Sequence, residues 1–240
     1  MERAKSHILG LDKMLGGGVP KGASVLLTGP AGCGKTLFAL QFVAGGASEG
    51  ETGLYISFEE NRRDLIEQAA QFDMDLERLE RSGKFKMLNF DMSQAPAIAV
   101  LDAIVRECRA MKVSRLAFDS VTVLGIFASI AASAELSASV GKSILPSSNE
   151  TVLRGTMMGL ISRIKAIGAT TILVSELPES TRYLSRDTVS EFVCDGIIRM
   201  DHKLTGKSRT RHIEIVKMRK TLHDDTERRF VLSKRGISIL

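Results

Sequence analysis

Over residues 24–175, short apolar runs rich in β-branched residues alternate with longer stretches of helical period, and the alternation predicts a layered α/β fold. SVLLT at 24–28, LYISF at 54–58, RLAF at 115–118 and TTILVS at 170–175 are each followed by a polar or glycine turn. Near-continuous apolar runs of that length are the pattern of strands buried on both faces of a parallel sheet. Helices are expected between them at 36–47, 62–72, 97–111 and 151–167, the order that right-handed crossover connections require. From residue 190 the period changes. EFVCDGIIRM, RHIEIVKM, RRFVLS and GISIL are shorter and partly alternating, with GKSRT, LHDD and KRG between them, so an antiparallel extension of the sheet is expected.

Composition narrows the class. With 240 residues, 44% of them hydrophobic, the chain is long enough for one sizeable core, and no linker or internal repeat divides it. A single domain over 1–240 is expected, with a lead-in at 1–22 and a variable Ala/Ser-rich segment at 124–150. Within that segment, 128–148 reads as a helix plus a mobile loop, the least ordered part of the chain. The absence of Trp and an aromatic content of 5% argue against a base-stacking or lectin-like surface.

Charge and cysteine usage add two points. The formal charge is +5, and residues 201–240, with 11 basic and five acidic side chains, carry the whole excess. Such an end segment suits phosphate groups, nucleic acid or an acidic neighbour, and equally a solvated surface. Cys33, Cys108 and Cys194 are odd in number and far apart, with no metal-ligand spacing, which fits a reducing cytoplasm. The N-terminus, MERAKSHILG, lacks the apolar core of a signal peptide, and the longest uncharged run, 120–134, is too short and Ser-rich to span a bilayer, so a cytoplasmic protein without a membrane partner is expected.

The chemistry is concentrated in Gly29-Pro30-Ala31-Gly32-Cys33-Gly34-Lys35-Thr36, a G-x-x-x-x-G-K-[ST] phosphate loop. Backbone N–H groups wrap the phosphates, Lys35 meets the β and γ oxygens, and the Thr36 hydroxyl binds Mg²⁺. A chance match occurs in about one chain of this length in a hundred. The loop also follows an apolar strand and opens a helix at Leu37, where dipole and unpaired amides favour an anion. ATP and Mg²⁺ are therefore the expected ligands. Asp119 ends the strand RLAFD, placed for Mg²⁺ binding, although an Asp at a strand end also suits an N-cap. Glu59 and Glu60 follow LYISF. If that strand lies beside the phosphate-loop strand, its C-terminal end points a carboxylate at the γ-phosphate; two Glu opening a helix have the same look.

Taken together, GLDKMLGGGVPKG at 10–22, GPAGCGKT, YISFEE, FDSVT at 118–122, EFVCDGIIRM and EIVKMRKTLHD with FVLSKRGISI resemble the single-domain KaiC-like branch of the RecA/RadA ATPase superfamily. The resemblance spans nearly the whole chain and is weakest at 75–95 and 124–150. It implies a RecA-like core, a mostly parallel sheet flanked by helices with antiparallel C-terminal strands, in an ATPase that assembles as a ring, typically a hexamer, with nucleotide between subunits. By motif, Gly29 to Leu37 form the nucleotide cradle, Asp119 takes the Walker B role, and Glu59 and Glu60 form the catalytic pair. Ser175-Glu176 resembles the sensor position. Lys217 and Arg219 resemble the basic pair donated in trans to a neighbour's γ-phosphate; two apart on a strand, they would point the same way.

The chain departs from the family pattern in three places. KaiC proper has two such domains and this chain has one. Glu191 and Phe192 stand where the KaiC kinase domain carries its Ser-Thr phosphoacceptor pair, so autophosphorylation there is not expected. The segment after Asp119 is longer than usual, and 120–153 holds a single basic residue, Lys142, a poor set for DNA phosphates. The loop at 178–190 offers Arg182, Tyr183 and Arg186, which fits DNA less well than it fits a solvated loop. The leading function is thus an ATP-hydrolysing ring that regulates partner proteins. The alternative is a RadA-related recombination or repair accessory that binds single-stranded DNA, and a third reading is a nucleotide-gated module without turnover.

Overall fold

The computed structural model describes residues 1–92, 96–140, 149–179, 181, 183–205 and 208–240. Its elements in chain order are β1 (Arg3–Ala4), α1 (Leu11–Met14), β2 (Val19–Pro20), β3 (Ser24–Gly29), α2 (Lys35–Ser48), β4 (Gly53–Ser57), α3 (Arg62–Ala70), α4 (Leu76–Arg81), β5 (Phe85–Asn89) and α5 (Ala97–Met111). They continue with β6 (Arg115–Asp119), α6 (Val121–Val140), α7 (Asn149–Lys165), β7 (Thr170–Glu176), α8 (Ser190–Val193), β8 (Gly196–Thr205), β9 (Ser208–Met218), β10 (Arg228–Ser233) and β11 (Gly236–Ile239).

A nine-stranded sheet runs β11-β10-β9-β8-β3-β7-β6-β4-β5. Its six strands from β8 to β5 pair in parallel, and β9, β10 and β11 continue it antiparallel. This is the mostly parallel, helix-flanked architecture expected, with the antiparallel extension at the C-terminal end.

The unbroken apolar runs have a direct cause. Alternate residues of each central strand enter different cores. Val25, Leu27, Tyr55, Ala117, Ile172 and Val174 pack under α2 with Phe38 and Phe42. Leu26, Leu54, Leu116, Phe118 and Leu173 pack on the other face with α5, α6 and α7 through Leu101, Ile104, Leu124 and Ile161.

Two stitches hold the periphery. Arg115, with its side chain 1% exposed, pairs with Glu51, donates to the carbonyls of Lys5 (2.6 Å) and Phe42 (2.9 Å), and stacks 4.8 Å from the Phe42 ring centroid. The Gln41 amide of α2 grips the β10–β11 turn, donating to Arg235 O at 3.2 Å and accepting from Ile237 N at 2.8 Å. Gly236 makes that grip possible. It sits at φ +86°, and a Cβ there would lie 2.2 Å from Gln41 Nε2.

Several expectations need correction. EFVCDGIIRM is not one strand: its first residues form α8 and pairing begins at Gly196. Arg219 lies beyond the end of β9, so it and Lys217 are not two residues of one strand. LYISF is not next to the phosphate-loop strand, because β7 and β6 lie between β4 and β3. The segment at 128–148 is helical to Val140, and the expected loop at 141–148, including Lys142, falls outside the described residues, as does Arg182.

Candidate active site

The phosphate loop leaves β3 at Gly29 and enters α2 at Lys35. Two glycines are required there. A Cβ on Gly29 would stand 2.1 Å from Met200 O of the adjacent strand, and Gly34 caps α2 at φ +105°. Lys35 is buried and its ammonium donates to Pro30 O at 2.8 Å, which keeps it folded over the loop. Cys33 is fully buried and burial pushes its thiol up, so it serves as packing rather than as a reactive group.

A cleft of about 340 Å³ opens over the loop. Residues 31, 32 and 34–37 line it with Glu59, Glu60, Asp119 and Glu176. The two glutamates reach it without β4 adjoining β3. All the parallel strands present their C-terminal ends to one edge, and Ser57 is in register with Asp119. Gln68, Phe72, Val174 and Leu232 also line the cleft, and nothing in the sequence marks them as site residues. Ser175 is buried behind the wall, 3.3 Å from the Thr122 hydroxyl, and Glu176 rather than Ser175 faces the cleft.

Four carboxylates share this space, and hydroxyl donors sort them. Tyr55 Oη donates to Asp119 Oδ2 at 2.6 Å, and Thr36 also hydrogen-bonds the Asp119 carboxylate. Ser120 Oγ donates to Glu59 Oε1 at 2.7 Å. The Glu60 carboxylate accepts no hydrogen bond from the described residues, although its backbone is fixed by Ser57 and Asn89.

Burial raises the carboxyl groups of Asp119, Glu59 and Glu60 above their ordinary values. The bonds from Tyr55 and Thr36 oppose this at Asp119, and the Ser120 bond opposes it at Glu59. At Glu60 the charges of Asp119, Asp64 and Glu59 add to it. Raised carboxyl values in a cleft mark a candidate functional site.

Thr36 and Asp119 offer hard oxygen donors suited to Mg²⁺. Among the described residues no group of three or more His, Cys, Asp or Glu could hold a metal ion.

Lys217 and Arg219 are elsewhere. Met218 pairs with Gly196, which pairs with Val25, and Arg219 N donates to Asp195 O at 2.8 Å. Both therefore sit at the start of β3, the opposite end from the loop, roughly 17 Å away along a six-residue strand. Lys217 donates to Glu191 O at 2.8 Å and Arg219 to Phe192 O at 3.1 Å. Burial, then the Arg219 charge, lowers the Lys217 ammonium. In the 178–190 loop, Tyr183 and Arg186 are exposed. Among the described residues no helix is long and apolar enough to cross a membrane.

Comparison with known proteins identifies the family. A family model described as "ATPase: KaiC" matches residues 4–240. The circadian clock oscillator protein KaiC of Synechococcus elongatus is 32% identical over 99% of this chain, which spans 44% of that protein's length. KaiC of a Nostoc species is 32% identical over 100% of this chain, again 44% of the longer protein. Among solved structures, a KaiC-like protein of the hyperthermophilic archaeon Pyrococcus horikoshii OT3 superposes with a TM-score of 0.82 at 32% identity, covering 100% of this chain and 99% of that one.

Proposed function

Since the chain belongs to the KaiC family of ATPases, we propose that it binds ATP with Mg²⁺ and hydrolyses it between the subunits of a homo-oligomeric ring, whose nucleotide state regulates partner proteins in the cytoplasm. The whole chain acts as a single ATPase domain. The observation that carries the reading is the cleft itself: a glycine-built phosphate loop and four carboxylates converge on one space, with Lys35 beneath them.

The roles follow from placement. The amides of residues 29–37 and the Lys35 ammonium hold the phosphates at the N-terminus of α2. Thr36 and Asp119 hold Mg²⁺, which when bound neutralises charge on the phosphate oxygens. Glu60, whose carboxylate is unengaged by the described residues and whose proton affinity is raised, takes the proton of the attacking water. Glu59, tied to Ser120, orients that water. Ser175 sets the floor under Glu176 through Thr122.

Among the described residues no arginine lines the cleft; Arg219 and Lys217 lie at the far end of the sheet, and in the proposed ring they reach the γ-phosphate of the neighbouring subunit. Autokinase activity is excluded from the proposal. Glu191 accepts from Ser185 at 2.7 Å, and neither it nor Phe192 carries a hydroxyl to receive a phosphoryl group.

Steady-state ATPase assays with light scattering on the same samples test the reading. Slow, Mg²⁺-dependent turnover by a ring of about hexameric mass, indifferent to single-stranded DNA at low salt, is expected. Turnover that persists in Lys35→Ala would sink it. Stimulation by DNA would favour the recombination-accessory reading instead and point to the exposed Arg186.

A further inference from the structure

We propose that Tyr55 is a positioning residue for the metal site: its hydroxyl holds the Asp119 carboxylate from behind the cleft and fixes the face that the carboxylate turns to Mg²⁺. The proposal rests on the reading of Asp119 as a Mg²⁺ ligand.

Strand geometry makes the contact. Tyr55 lies opposite Ala117 on the neighbouring strand, and Asp119 is two residues further along the same face of that strand. Such diagonal neighbours lie within reach of a long side chain. The phenol extends along the sheet and ends on Asp119 Oδ2 at 2.6 Å, the short distance of a hydrogen bond to a charged acceptor. Tyr55 is fully buried and does not line the cleft, whereas Asp119 does. The ring fills a core position beneath α2 that Phe would fill equally well. The hydroxyl is therefore unexplained by packing, and burying it without a partner would be unfavourable. Its bond engages one carboxylate oxygen on the core side and leaves the rest of the group to Thr36 and the cleft. Outer-shell partners of metal ligands act in this way, and their loss weakens metal binding by about 10- to 100-fold.

Tyr55→Phe tests this. The Mg²⁺ concentration for half-maximal ATP turnover is expected to rise about tenfold, with nucleotide binding in the absence of Mg²⁺ retained and kcat at saturating Mg²⁺ near the parent's. A residue that only filled space would leave the Mg²⁺ midpoint in place, since Phe fills the same space. A second readout needs no change at the site. The chain has two tyrosines and no tryptophan, so in Tyr183→Phe the remaining phenol is Tyr55. Adding Mg²⁺ to the ATP-loaded variant is expected to shift its ultraviolet difference spectrum. An unmoved Mg²⁺ midpoint in folded Tyr55→Phe, or a phenol spectrum silent to Mg²⁺, overturns the proposal; if Tyr55→Phe does not fold, the spectrum decides alone. A parent chain whose turnover needs no Mg²⁺ removes the broader reading and this one together, a result distinct from either.

Discussion

Glu60 shows what the cleft costs at the level of one residue. Its carboxyl is raised by burial and by the charges of Asp119, Asp64 and Glu59. Ionising it therefore opposes folding. That penalty is present at neutral pH, shrinks as pH falls through the folded value, and is gone below the unfolded value, where the group is protonated in both states. Glu60→Gln is expected to raise the melting midpoint of the nucleotide-free chain by about 2–4 °C at pH 7, a gain that shrinks in acid. Turnover should fall about 10²- to 10⁴-fold with ATP affinity retained. A midpoint that stays put would mean that the carboxylates are not crowded, and retained turnover would mean that Glu60 is not the base.

Among elements, the parallel strands were legible because burial on both faces leaves almost no polar residue in them, and α5 (Ala97–Met111) matches its helical period end to end. Strand β5 was missed. It is an edge strand, paired only with β4, and its alternation, FKMLN, is short, with Phe85 and Met87 buried on one face. The run at 191–200 misled because Cys194-Asp195 is apolar and acidic in alternation for a different reason: Asp195 is a junction. Burial pushes its carboxyl up, but bonds from Lys165 (2.9 Å) and Ser24 N (3.0 Å), together with the Lys165 and Arg219 charges, outweigh that and hold it below the ordinary value. A depressed carboxyl contributes stability above its unfolded value, about 3.9, and loses it as pH falls through the folded value. Asp195→Asn is expected to cost about 1–2 kcal/mol at pH 7 by denaturant unfolding, and progressively less below about pH 4. An equal loss at both pH values would assign the effect to packing instead.

For the whole molecule, the phosphate loop and the carboxylates could be read from motifs, whereas the contacts that Tyr55, Ser120, Gln68 and Leu232 make at the site could not. Each reaches the site across strands or helices far apart in sequence, and none has a spacing rule. The separation between the cleft and the Lys217–Arg219 pair likewise depends on strand order. It has a quantitative consequence if neighbours complete each other's sites. Arg219→Ala should lose about 10³- to 10⁵-fold in turnover, as Glu60→Gln loses it for another reason. Mixed, the two inactive chains should recover activity, because a Glu60→Gln subunit still offers its arginine to an intact cleft. Mixtures no more active than their components would end the trans assignment.

The Gln41 clamp joins the two ends of this arrangement. Helix α2 starts at the phosphate loop, and its Gln41 amide holds the β10–β11 turn, while β10 pairs with the strand that leads to Lys217. A methyl group added at Gly236 must displace that amide. In a random mutagenesis screen scored by nucleotide affinity, Gly236→Ala should therefore appear among the hits, more than half the chain away in sequence from the loop it impairs. A map of such hits would trace the fold rather than the ligand.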